Sequence, residues 1–190
     1  TNSSEPRDYH QNFGLLYFIA NTTSSTTALY QTNGTIIGTV PVVTDTMPPN
    51  IQYSGAPVLK NTTFYTSNGN IWTYDGTFPG MQPFKPAGMQ SADLKNSIEY
   101  NGKLYFSATD ATNGNELWVS DGTENGTSIL KDINPGSDGS GCSNFVVHKG
   151  LLYFTAKDTG STQLWTTDGT AAGTRKVTTN IQGTMFAFTS

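Results

Sequence analysis

Apolar and polar residues alternate along this chain in short runs, each closed by Gly, Asn, Asp or Thr. Residues 103–108, Lys-Leu-Tyr-Phe-Ser-Ala, are the clearest of these runs. Period-two alternation bounded by turn residues predicts strands rather than helices, and no stretch has helical spacing. Residues 97–100 predict a strand, Asn101-Gly102 a two-residue hairpin, and 103–108, 116–120 and 127–132 three further strands. The same set is predicted at 145–147, 151–156, 163–167 and 175–179. It is predicted again at 8–10, 14–20, 28–32 and 39–43, and at 58–59, 62–67, 70–74 and 81–84. Each set reads as a four-stranded antiparallel meander.

The sets are copies of one another. Glu116-Leu117-Trp118-Val119-Ser120-Asp121-Gly122-Thr123 is matched by Gln163-Leu164-Trp165-Thr166-Thr167-Asp168-Gly169-Thr170. Asn70-Ile71-Trp72-Thr73-Tyr74-Asp75-Gly76-Thr77 is a third copy, and the most eroded is Ala28-Leu29-Tyr30-Gln31-Thr32-Asn33-Gly34-Thr35. From Tyr30 to Trp72, Trp118 and Trp165 the steps are 42, 46 and 47 residues. A period of this length marks a propeller blade or a solenoid turn. A short second-to-third-strand loop in the second copy helps to compress the first step. The Asp-Gly-Thr triplet suits a tight turn: glycine permits positive φ, and the Asp or Asn and the Thr hydroxyl bond the turn backbone. A second glycine, at Gly38, Gly80, Gly126 and Gly173, lies four residues beyond the first.

Composition narrows the setting. Charged residues make up 13% of the chain, whereas Thr and Ser supply 46 of 190, so hydroxyls and amides rather than ions keep the surface wet. That is the pattern expected of a secreted or cell-surface β-protein. The first residues, Thr-Asn-Ser-Ser-Glu-Pro, fit a mature chain after signal-peptide removal. A net charge of −4 without a basic cluster argues against nucleic acid, and no apolar run is long enough to insert in a membrane as a helix. Cys142 is the single cysteine, which excludes an intrachain disulfide and favours a packed side chain over a reactive thiol.

The 116–123 signature, with Leu104-Tyr105-Phe106-Ser107-Ala108 before it and Asn125-Gly126-Thr127 and Lys131-Asp132-Ile133-Asn134-Pro135-Gly136 after it, resembles the ELWxxDGT repeat of bacterial secreted and surface proteins. The resemblance covers about residues 14 to 180. Tyr30 for Trp, Asn33 for Asp and Met81 for the second Thr are departures from it. It implies an all-β fold, a β-propeller of four repeats in one domain, and carries no catalytic motif. The expected units are 7–45, 46–90, 91–136 and 137–182, with 183–190 as a surplus terminal strand around Met185, Phe186, Ala187 and Phe188. An unpaired strand of that kind would join another copy by strand addition.

The functional expectation is a non-enzymatic structural or adhesive module that binds protein or glycan surfaces or further copies of itself, without a cofactor. One alternative is a filament subunit that polymerises by terminal strand exchange. Another is a propeller glycan hydrolase or lyase, for which Asp110, Glu116 and Asp158 would be the first residues to mutate. The signature positions Tyr30, Asn33, Gly34, Trp72, Asp75, Gly76, Trp118, Asp121, Gly122, Trp165, Asp168 and Gly169 are read first as structural. Their aromatics are also candidate sugar platforms, although apolar neighbours favour burial. His10 and His148 lack partners at metal-ligand spacing, and Asp132 and Asp138 form a weak calcium candidate. Asn2, Asn21, Asn33, Asn61 and Asn125 begin N-glycosylation sequons.

Overall fold

The computed structural model describes residues 4–21, 27–42, 51–52, 55–77 and 80–177. Every regular element in them is a strand, and the strands form four antiparallel sheets built in sequence order. The first sheet holds β1 (Arg7–Asn12), β2 (Leu15–Asn21), β3 (Thr27–Thr32) and β4 (Val40–Pro41). The third holds β10 (Met89–Tyr100), β11 (Lys103–Asp110), β12 (Gly114–Ser120) and β13 (Thr127–Lys131). The fourth holds β14 (Ser143–His148), β15 (Leu151–Lys157), β16 (Thr162–Thr167) and β17 (Arg175–Lys176).

The second sheet departs from the expected template. Its first-strand position is divided between β5 (Ile51–Gln52) and β6 (Val58–Leu59), both paired with β7 (Thr62–Ser67). β8 (Asn70–Tyr74) and β9 (Gln82–Phe84) complete it. The other departure is β10, a 12-residue strand where the pattern predicts four. Its register shifts between Asp93 and Ile98, so two paired segments flank an irregular turn of chain. Ala92 N–H donates to the Gly69 carbonyl at 2.9 Å, which ties β10 to the hairpin of the second sheet.

Turn chemistry explains why the strands meet in this register. Asn101 and Gly102 both have positive φ, 52° and 72°, and so form the mirror-image turn that suits twisted strands. Lys149-Gly150, Lys60-Asn61 and Phe13-Gly14 share that geometry at the equivalent corners.

Strand alternation gives each sheet two faces. One carries Tyr17, Ile19 and Leu29 in the first sheet, Phe64, Thr66 and Ile71 in the second, and Tyr105, Ser107 and Leu117 in the third, all buried. The other carries Tyr65 in the second, Phe106 and Trp118 in the third, and Phe154 and Trp165 in the fourth, also buried. The apolar clusters lie between consecutive sheets: Tyr17 and Leu29 with Tyr65 and Tyr74, Phe64 and Ile71 with Phe106 and Trp118, and Leu117 with Phe154 and Trp165. Each buried Phe or Leu contributes roughly 1.5–3 kcal/mol. Blades stacked face to face are the layout of a β-propeller. The expected surplus strand, Met185 to Phe188, lies outside the described residues, and the first sheet is completed by its own β1.

Candidate functional site

The repeated Asp-Gly-Thr turns close into one hydrogen-bond pattern. Asp121 Oδ1 accepts from the Thr123 N–H (2.9 Å) and from its hydroxyl (2.7 Å). Thr123 Oγ1 in turn accepts the Gly126 N–H at 2.9 Å, and Thr127 Oγ1 donates to the Thr123 carbonyl. Asp168 with Thr170, Gly173 and Thr174 repeats these contacts, as does Asn33 with Thr35, Gly38 and Thr39. Asp75 binds Thr77 in the same way. The donors hold the carboxyls of Asp75, Asp121 and Asp168 below their ordinary range, chiefly through the Thr hydroxyls. The second glycine has a steric cause: a Cβ on Gly126 or Gly173 would overlap the Asp121 or Asp168 carboxylate. Gly34, Gly76, Gly122 and Gly169 all have positive φ.

The signature aromatics do not share one environment. Trp118 is 2% exposed and Trp165 7%, both packed between sheets and unable to stack on a ligand. Lys176 Nζ lies 5.9 Å from the centre of the Trp165 ring. Tyr30 is half-buried and stacks on Phe18, ring centres 5.6 Å apart. Trp72 is half-buried and lines a groove of about 300 Å³ with Ser67, Asn68, Asn70, Pro83 and Lys85. A smaller hollow of about 170 Å³ shares Asn70, Ile71 and Lys85 with it and extends to Met89 and Gln90. The groove opens where Asn68-Gly69 joins β7 to β8, a shorter connection than 111–113 or 158–161 in the third and fourth sheets. Loop shortness was visible in the sequence; the roles of Asn68, Asn70 and Lys85 were not, because none belongs to a recognisable motif.

The three acids singled out as possible catalysts are each occupied. Asp110 Oδ1 accepts from Thr112 N–H (2.8 Å) and Asn113 N–H (2.6 Å), and its carboxyl is held low by the Asn113 amide. Asp158 accepts the Gly160 N–H and pairs with Lys176, which lowers its pKa. Glu116 is wholly buried and accepts from Ile133 N–H (2.8 Å), Asn134 N–H (3.1 Å) and Ser140 Oγ (2.7 Å). Burial nevertheless raises its pKa, the donors opposing that effect only in part. The side chain latches β12 to the 133–140 loop. These acids are not brought together into one pocket.

Other candidates are dispersed. His10 Nε2 and the Tyr65 hydroxyl are 2.9 Å apart, the ring stacks on Tyr17, and desolvation lowers its pKa. His148 is exposed at the end of β14. Burial pushes the Cys142 thiol up to about 12. Asp132 is half-buried and Asp138 exposed, and among the described residues no group of three or more His, Cys, Asp or Glu is placed to hold a metal ion. Of the sequon asparagines, Asn61 and Asn125 are exposed in turns and Asn33 is engaged in its turn. Asn21 Oδ1 accepts from Arg7, and Asn2 lies outside the described residues.

No protein-family model matches the chain, and no curated protein matches it either. Solved structures do. Puromycin hydrolase aligns with a TM-score of 0.53 and 13% identity over 93% of this chain and 32% of its own. An α-L-arabinofuranosidase from Clostridium thermocellum aligns at 0.41, with 13% identity over 93% of this chain and 72% of its own. A putative exo-β-1,3-galactanase from Bifidobacterium bifidum aligns at 0.40, with 13% identity over 90% and 70%.

The expectation of a non-enzymatic structural or adhesive module is corrected by these findings. The three structures named here are all enzymes by name, and none is a structural or adhesive module. At 13% identity the likeness to puromycin hydrolase establishes fold alone, and the chain spans about a third of that protein.

Proposed function

We propose that the chain is the propeller portion of a secreted or surface glycan hydrolase or lyase, with glycan lying along the Trp72 groove. One observation carries this reading: of the three signature tryptophans, Trp72 is half-buried and lines a groove, whereas Trp118 and Trp165 are enclosed. An indole face accepts the C–H face of a sugar, and the flanking Asn68, Asn70 and Lys85 offer hydroxyl partners. Glycoside cleavage requires a pair of carboxyl groups flanking the bond. Asp110, Glu116 and Asp158 serve local structure, and the reading assigns that pair to none of them. The likeness of residues 116–123 to the ELWxxDGT repeat and the hydroxyl-rich surface support the extracellular setting.

Fluorescence titration of the protein with a panel of neutral and acidic polysaccharides tests the reading, beside an assay for newly formed reducing ends. Binding is expected to shift tryptophan emission and to weaken about tenfold or more in Trp72→Ala. No shift with any polysaccharide, or unchanged binding by Trp72→Ala, overturns it.

A further inference from the structure

The Trp72 groove carries a single charged side chain. Trp72 pairs with Pro83 across β8 and β9, and strand alternation sets Asn70 and Lys85, each two residues further along, on the same face. Asn70 and Lys85 line both the groove of about 300 Å³ and the adjoining hollow of about 170 Å³, so the lysine stands at the seam between them. Every other residue lining the two is uncharged. On a chain of net charge −4 this makes a local positive site. The fold does not use the ammonium. Lys60 and Lys131 donate to the Asp121 and Ala171 carbonyls and Lys176 pairs with Asp158, whereas among the described residues Lys85 Nζ meets no acceptor or carboxylate. Its side chain is exposed, but its main chain is fixed, the N–H donating to Glu124 Oε1 at 2.6 Å. Nor does the repeat dictate the residue. Phe84 faces Ile71 as Lys131 faces Leu117, and the next position is Lys85 in the second sheet but Asp132 in the third.

We propose that the groove selects an anionic polysaccharide, with one sugar ring against Trp72 and the negative group of a neighbouring unit, a carboxylate or a sulfate ester, on Lys85. This rests on the glycan reading of the groove and adds the substrate class to it. An ammonium is a compact point charge with three donors, so it pairs with either group without a fixed planar geometry. The amides of Asn68 and Asn70 remain for ring hydroxyls. Because Lys85 is exposed, its pairing is weak and screened by salt. It therefore discriminates between charged and neutral glycans, while ring stacking on Trp72 supplies the larger share of affinity.

Fluorescence titration with polygalacturonate, its neutral methyl ester, dextran sulfate and plain dextran tests the proposal in the wild type, Lys85→Gln and Lys157→Gln. The wild type is expected to bind at least one polyanion about three- to fivefold more tightly than its neutral counterpart at low salt. That advantage is expected to fade as salt is raised to about 0.5 M. Lys85→Gln is expected to bind the charged and neutral forms alike, with its affinity for the neutral form unchanged. Lys157→Gln removes the same charge from an exposed position on β15 and is expected to keep the preference. Preference for polygalacturonate assigns the carboxylate, and preference for dextran sulfate the sulfate ester. Equal binding of charged and neutral forms by the wild type, or a preference that survives in Lys85→Gln, overturns the proposal but leaves the glycan reading standing. Absence of binding to any of the four polymers overturns both.

Discussion

Asp121 and Gly126 interlock: the carboxylate that organises the turn fills the space a side chain at position 126 would need. Gly126→Ala is therefore expected to destabilise by about 1–3 kcal/mol in urea unfolding. Because the clash is with Asp121 itself, the pair Asp121→Ala and Gly126→Ala is expected to cost less than the sum of the single changes, which a double-mutant cycle measures directly. The carboxyls of Asp75, Asp121 and Asp168 sit below their unfolded values, so the stability they contribute is present above about pH 4 and is lost as pH falls through their folded values. Thermal unfolding followed against pH should show this acid limb. Asp121→Asn keeps the acceptor, as Asn33 does in the first turn, but loses the charge, and is expected to lower the neutral melting temperature slightly while flattening the limb.

Among the elements, the hairpins and the Glu116 latch make opposite demands on sequence. Lys149 holds a left-handed φ of 48° where Asn101 stands in the third sheet, and Asn tolerates that conformation better. Lys149→Asn is expected to stabilise the fourth sheet by up to about 1 kcal/mol, read as a rise in denaturation midpoint. Removing Glu116 leaves the Ile133 and Asn134 N–H groups and the Ser140 hydroxyl without their buried acceptor, and Glu116→Ala is expected to cost about 3 kcal/mol or more. Most strands were legible because their ends are written in local chemistry, as in Asn101-Gly102 and Asp121-Gly122-Thr123. The division of the second sheet's first strand and the length of β10 were not. Both arise from contacts between sheets, such as Ala92 N–H to Gly69, that a one-dimensional pattern does not carry.

Across the whole molecule, repetition made the architecture readable and hid the candidate site. A signature that recurs four times assigns Trp72, Trp118 and Trp165 the same role, and only packing reveals that one of them reaches a groove. The enclosed Cys142, with its thiol pushed up to about 12, is expected to resist thiol reagents at neutral pH until the protein unfolds. Among the described residues, moreover, each sheet is assembled from strands that follow one another in sequence. A cut in the connection between β13 and β14, at residues 132–142, therefore severs no sheet. Such a chain can lengthen or shorten in whole cassettes: a duplication or deletion spanning one repeat adds or removes a finished blade and orphans no strand. The graded erosion of the signature, from residues 116–123 to 28–35, is the trace expected of a gene that grew by copying and then drifted cassette by cassette.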